Sequence, residues 1–368
     1  MAKKMYIGVS GKARQIKKAY IGVSGKARRI KKAYIGVGGK ARCIFGGRTV
    51  VDLGDTSITM TSAYRFAATT VGDYAIFAGG LNETSVETTA VLACDSLLVK
   101  KSAAALQYPR FGLAATFVGN YALFGGGHKD STSISYSNID SYTDTLTHGT
   151  SLAYLSYSRY DLTATSIGDH ALFAGGLHCN SGGTWKEYAT VDAYDESLTR
   201  STPNLLDEPR GDIASATVGA YVLFGGGYSP TNGYTDVLDI YSTDLTKIAP
   251  KTLSSAKGYV AATSVGDYAV FAGGRNSSGA INVVEAYSST LTRVLPTVLD
   301  APKSNFAATT FGDFALFGGA GSKVIAYDDS LSQSVVGDLT LSRSNLAATT
   351  VDDLALFGGM VLDAFRIQ

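Results

Sequence analysis

Cysteine is scarce in this chain: Cys43, Cys94 and Cys179 are its full complement, far apart and without a CxxC pair. That spacing indicates neither a disulfide framework nor a zinc site, and it fits free thiols made in a reducing cytosol. Histidine is nearly as rare. His178 is followed directly by Cys179, so in an extended chain the two point opposite ways, and His170 takes a place held elsewhere by Tyr74 and Tyr121. No metal site is expected. The chain also lacks a Gly-x-Ser-x-Gly elbow, a P-loop and a dinucleotide fingerprint, so neither catalysis nor a cofactor is expected. No apolar run approaches the eighteen or so residues of a membrane span. The lysine-bearing N-terminus has no apolar stretch of the kind a secretion signal needs, so synthesis in the cytoplasm without membrane insertion is expected.

Acidic residues are missing from one region altogether. Residues 1–48 hold fourteen Lys and Arg and no Asp or Glu, whereas the remainder holds 18 basic and 31 acidic residues, a net of −13. A basic arm joined to an acidic body points to docking. The arm is a fourteen-residue repeat, K-K-M-Y-I-G-V-S-G-K-A-R-Q-I from Lys3 and close copies from Lys17 and Lys31. Fourteen residues make two heptads, but the glycines and the Tyr-Ile and Val positions oppose a helix. Each copy reads as a hairpin, for example strands at residues 19–23 and 26–30 around a Ser-Gly turn. Such hairpins are too small for a core of their own and require a partner surface or sister chains.

A second period fills the rest. The pattern A-A-T-T-V-G-D-Y-A-I-F-A-G-G (residues 67–80) recurs seven times, placing Phe77, Phe124, Phe173, Phe224, Phe271, Phe317 and Phe357 at gaps of 47, 49, 51, 47, 46 and 40. This is the spacing of four-stranded propeller blades. Ala-Ala-Thr suits an innermost strand crowded around an axis, where Phe would not fit, and bulk belongs further out. An aromatic marks each third strand (Tyr142, Tyr194, Tyr241, Tyr287, Tyr327, Phe365), and Cys94 fills that slot in the first blade as a buried thiol. The last blade has room for a third strand but no fourth; residues 49–53 are expected to supply it and close the ring. Fold expectation: an all-β chain, residues 1–47 a hairpin-repeat arm and residues 48–368 a seven-bladed propeller.

A second strand ending in Gly-Gly, a Tyr-bearing third strand and a basic residue before the first strand together resemble the kelch motif, over about 310 residues. The chain departs from it by carrying leucine after the third-strand turn (Leu97, Leu146, Leu198, Leu245, Leu291, Leu331) where kelch repeats usually have Trp. Copper-dependent oxidases on kelch propellers use a His, Tyr and Cys set that this chain does not assemble. The K-K-A-Y-I-G-V-x-G-K-A-R units resemble N-terminal repeats on structural proteins of phages and prophages of Gram-positive anaerobes.

Two groups of residues are candidates for function. The basic position lies at the top of each innermost strand, as Arg110, Arg159, Arg210, Lys257, Lys303 and Arg343, with Ala63 as the exception. The kelch resemblance implies a pocket for acidic ligands there; the alternative is that each cation pairs internally with a carboxylate or carbonyl. The long loops after Gly-Gly, residues 128–138, 177–190 and 228–236, share that face and carry Tyr136, Trp185, Tyr188, Tyr228 and Tyr234. These aromatics suit sugar stacking or protein contact, or packing onto their own loops. Asp192, Asp195, Asp328 and Asp329 read as turn formers. In the arm, Tyr6, Lys12, Arg14, Tyr20, Lys26, Arg28, Tyr34, Lys40 and Arg42 recur in register; solvation or docking to an acidic protein ranks above nucleic acid, which is not expected as a partner. The phage resemblance implies a virion structural protein, its arm on tail, baseplate or head and its propeller on a host-surface glycan or protein. A cytosolic interaction scaffold is the alternative.

Overall fold

The computed structural model describes residues 49–150 and 152–367, together with the backbone of six strands in residues 1–48. Those six pair as three separate antiparallel hairpins: Met5–Val9 with Lys12–Ile16, Tyr20–Val23 with Lys26–Arg29, and Ala33–Val37 with Lys40–Phe45. Each fourteen-residue unit is thus one hairpin. The arm's side chains, those of Tyr6, Tyr20, Tyr34 and the repeated lysines and arginines included, lie outside the described residues. Packing divides the chain into Met1–Val51 with Ile367–Gln368, and Asp52–Arg366.

The second unit is a ring of seven four-stranded antiparallel sheets. In the second blade the order from axis to rim is Ala114–Val118, Tyr121–Gly125, Ile139–Thr143 and His148–Gly149. Blades three to six repeat it, with innermost strands Thr163–Ile167, Ala214–Val218, Ala261–Val265 and Ala307–Phe311. The seventh sheet joins Ala347–Val351, Leu354–Gly359 and Val361–Ile367 to Val50–Thr59, so the fourth strand of the last blade comes from the start of the propeller. Met60 N–H donates to the Met360 carbonyl at 2.8 Å beside this seam. The ring also closes at the axis, where Thr70 Oγ1 donates to the Thr350 carbonyl at 2.6 Å.

The core lies between blades. Second strands are buried almost throughout, as in Ala171-Leu172-Phe173-Ala174. The second-strand Phe meets the third-strand aromatic edge to face in six blades, for example Phe173 and Tyr194 at 6.0 Å and 89°. Each tyrosine hydroxyl is satisfied by a backbone carbonyl of the preceding loop, such as Tyr194 Oη to Ala153 at 2.9 Å. Cys94 is fully buried in the first blade, and burial pushes its thiol up to about 11, an inert group at neutral pH.

Two expectations are corrected. Phe117 occupies a channel-facing position of an innermost strand and is 48% exposed there, so the axial channel admits one large ring. The recurrent leucine of the first blade is Leu98, not Leu97: Leu98, Leu146, Leu198, Leu245, Leu291 and Leu331 all adopt left-handed backbone (φ 59–64°), and Leu97 is 78% exposed. The turn preceding strand four requires that conformation, and the leucine side chains pack against the interblade cores.

The Gly-Gly signature has a steric cause. In the third blade, Gly176 N–H donates to the carbonyl of Arg210 in the next blade at 2.8 Å. A Cβ on Gly175, whose φ is +66°, would lie 2.6 Å from that same carbonyl. Only glycine lets the two blades meet this closely.

Candidate functional site

The recurrent cations are not a ligand surface. Arg110, Arg159, Arg210 and Lys257 are fully buried, each against one carboxylate of its own blade's third strand. The pairs are Arg110–Asp140 at 2.5 Å, Arg159–Asp192 at 2.7 Å, Arg210–Asp239 at 2.8 Å and Lys257–Glu285. The second carboxylate oxygen often takes the loop entering the blade, as where the Ser156 N–H and hydroxyl donate to Asp192 Oδ1 at 3.2 and 2.5 Å. Lys303 is 4% exposed and lies 3.5 Å from Asp300. The anion-facing role expected of these five is therefore corrected: desolvated and paired, they have neither free charge nor access. Asp192 is likewise a buried ion-pair partner rather than a turn former, whereas Asp195 and Asp328 do cap turns, accepting from Ser197 and Thr199 and from Ser330 and Ser332. Arg343, the sixth cation, differs and is treated below.

The mouth of the channel is built two residues further along each repeat. Arg65, Gly112, Asp161, Asp212, Tyr259, Asn305 and Asn345 all have positive φ, between 50° and 62°. Each backbone N–H donates to the carbonyl of its counterpart in the preceding blade. The bonds run Gly112→Arg65, Asp161→Gly112, Asp212→Asp161, Tyr259→Asp212, Asn305→Tyr259, Asn345→Asn305 and Arg65→Asn345, from 2.6 to 3.3 Å. Seven blades thus close one ring of seven hydrogen bonds around the axis. Gly, Asp and Asn adopt left-handed backbone readily; Arg65 and Tyr259 do not, and their retention stores strain at the mouth.

The ring residues and the apolar residues next to them (Phe66, Leu113, Leu162, Ile213, Val260, Phe306, Leu346) line an open pocket of about 220 Å³. Arg65 holds Asp161 with both oxygens at 2.7 Å and lies over the Phe111 ring at 4.4 Å. Burial opposes the Arg65 charge, but Asp161 outweighs it and the guanidinium stays firmly cationic. Burial, then the charge of Asp161, raises Asp212 well above the ordinary carboxylate range, against a hydrogen bond from Tyr259. The mouth therefore presents a carboxylate paired with Arg65, a carboxyl biased toward its neutral form, a phenol and two carboxamides over an apolar floor.

Small hairpins rise from the same end of the second to fifth blades. Their aromatics are partly packed and partly open. Tyr136 stacks on Tyr108 at 5.1 Å, and Tyr188, 8% exposed, stacks on Tyr157 at 4.9 Å. Lys186 Nζ sits over both rings of the latter pair, at 5.2 and 5.4 Å. Tyr228 and Tyr234 meet at 5.0 Å, and Trp185 is 44% exposed beside Tyr160. His128 and His178 share the Ser135 hydroxyl at 3.0 and 2.9 Å, tying two hairpins together. Among the described residues no cluster of His, Cys, Asp and Glu has metal-binding geometry.

Sequence reasoning missed the mouth residues, although a signal was present. At the basic position the repeat keeps its chemistry, whereas two residues later it runs Arg, Gly, Asp, Asp, Tyr, Asn, Asn. Divergence at one position of an otherwise regular repeat marks a site freed from a common structural demand.

This architecture defines the class as a seven-bladed β-propeller. No family model and no curated protein matches the sequence. Among solved structures, the chain is similar to one described as "Structure of YjhT", with a TM-score of 0.53, 12% identity, and coverage of 85% of this chain and 99% of that one. At that identity the likeness concerns the fold alone.

Proposed function

We propose that this chain is a non-catalytic binding protein of a phage or prophage particle, holding a host-surface glycan at the channel mouth and docking to the particle through its basic arm. The observation that carries the binding reading is the non-repeating polar ring on an otherwise repetitive scaffold. Alternating donors and acceptors over an apolar floor suit a sugar, whose hydroxyl edge and C–H face need both. Asp161 accepts, the hydrogen-bonded Asp212–Tyr259 pair has one proton left to donate, and Asn305 and Asn345 do either. The pocket's small volume favours a terminal sugar over a protein loop. Hairpins bearing Trp185 and the paired tyrosines offer stacking surfaces beside it. The kelch-like repeat and the phage-like arm units support the same reading by resemblance.

The test is binding of the full chain to host cells and to a glycan panel, with the double variant Asn305→Ala/Asn345→Ala beside the wild type. Loss of about two side-chain hydrogen bonds to the ligand should weaken binding roughly tenfold, while the thermal midpoint falls only by what alanine costs at two left-handed positions and the fold persists. Unchanged binding by this variant, or binding only to a protein partner with no glycan recognised, would sink the proposal.

A further inference from the structure

Arg343 stands apart from the other cations of the repeat. Both its Nε and its Nη1 are buried without a hydrogen-bond partner, whereas Arg110 and Arg159 leave only Nε unmatched. The matching carboxylate, Asp363, accepts at Oδ1 from the Thr340 N–H at 3.0 Å and the Thr340 hydroxyl at 2.5 Å, as Asp192 does from Ser156. No ion pair joins Arg343 to Asp363 among the described residues, in contrast to the close pairs of blades two to five. Burial works against the Arg343 charge, and Asp363 and Asp55 offset it only in part. Arg343 is half-buried rather than enclosed like Arg110 and Arg159, so its guanidinium lacks an internal partner yet borders open space.

The topology explains the vacancy. In the third blade a loop after Gly-Gly runs over the cation and supplies a carbonyl, as Thr190 does for Arg159 at 2.8 Å. In the seventh blade the chain turns at Met360 and re-enters the sheet at Val361, so among the described residues no post-Gly-Gly loop covers Arg343. The neighbouring first blade contributes Ala63 where a cation would stand. What remains is an open cavity of about 380 Å³ lined by Ala63, Tyr64, Glu83, Arg343, Ser344 and Met360. Tyr64 and Ser344 directly precede Arg65 and Asn345 of the mouth, so the two pockets adjoin along the chain.

We infer that this seam cavity is a subsite for the carboxylate of an acidic sugar, with Arg343 as its anchor and the channel mouth holding the rest of the ligand. The inference rests on the glycan reading of the mouth and gives it a ligand class: uronic-acid-bearing glycans. Guanidinium and carboxylate match in charge and in planar geometry. Glu83, exposed at the rim, rejects a second carboxylate and accepts a sugar hydroxyl. The short blades six and seven leave this side of the face low, opposite the hairpins of blades two to four.

The probes are methyl glucuronide and methyl galacturonide against methyl glucoside and methyl galactoside, titrated calorimetrically into the full chain at low salt. A charge-assisted anchor should favour at least one uronide over its neutral counterpart by about tenfold to a hundredfold. Arg343→Met should erase that preference, bringing uronide affinity down to that of the neutral sugar; Arg343→Lys should keep part of it. Asn305→Ala/Asn345→Ala should weaken both members of a pair alike. If the sugars bind and the mouth variant weakens them, but no uronide preference exists or Arg343→Met retains it, the subsite is wrong and the mouth reading survives. If no sugar binds, or only an aspartate-bearing peptide does, both readings fall.

Discussion

Each buried cation of blades two to five sits against a carboxylate that water cannot replace. Removing one partner of such a pair strands the other charge and costs about 3–5 kcal/mol, while replacing both with apolar groups can be nearly neutral. The protein contains its own example: the first blade has Ala63 and Leu92 where blades two to five have a cation and an acid. Asp192→Leu alone should therefore destabilise by about 3–5 kcal/mol in urea denaturation, and adding Arg159→Met should recover more than half of that loss. Additive penalties would show that the pair stabilises the blade by more than mutual neutralisation. At this scale the sequence was only partly legible. It shows that the cations recur but not that in blades two to five each partner lies in a third strand some thirty residues away, so Asp192 reads as a turn former. The left-handed residue two places later, which separates buried cation from open mouth, follows from backbone torsion that side-chain alternation does not report.

Between blades the contact is backbone on backbone, and Gly175 tests it. Alanine there meets both a left-handed φ of +66° and the Arg210 carbonyl of the next blade. Gly183, on the hairpin of the same blade, has φ +76° with open space around its missing Cβ. Gly183→Ala should cost about 1–2 kcal/mol, the left-handed penalty alone. Gly175→Ala should cost clearly more, and thermal midpoints of the two variants measure the difference; equal losses would mean that the interblade clash relaxes freely. Elements were the most legible level. Alternation in Ala67–Val71, the turn before Tyr74 and the Gly-Gly stop are local features, and the structure places strands where they predict. The αL leucines were less so: Leu97 and Leu98 are adjacent, and choosing between them needs the turn geometry at Asp95, whose carboxylate accepts from the Leu97 and Val99 amides.

For the whole molecule, the composite seventh sheet ties the ring shut. Deleting residues 48–57 removes most of a strand and uncovers the edge of Val361–Ile367, whereas deleting residues 1–44 leaves the propeller's sheets complete. The first truncation should lower the thermal midpoint by many degrees and the second by few; equivalent midpoints would refute closure by this strand. The closure is legible because residues 49–53 stand about as far before Ala63 as other fourth strands stand before the next repeat, whereas the pockets at the mouth and the seam arise from how seven unlike loops converge. The same closure sets a timetable for synthesis. Val50–Thr59 leaves the ribosome about 300 residues before its partner Val361–Ile367 exists. At 5–20 residues per second this is a wait of about 15–60 s. Through that interval the earliest propeller strand has no mate in its final sheet, and the ring of seven hydrogen bonds lacks a link. Completion thus waits on the last strand, and until then the nascent chain must be kept from lending its open edges to a neighbour on the same message.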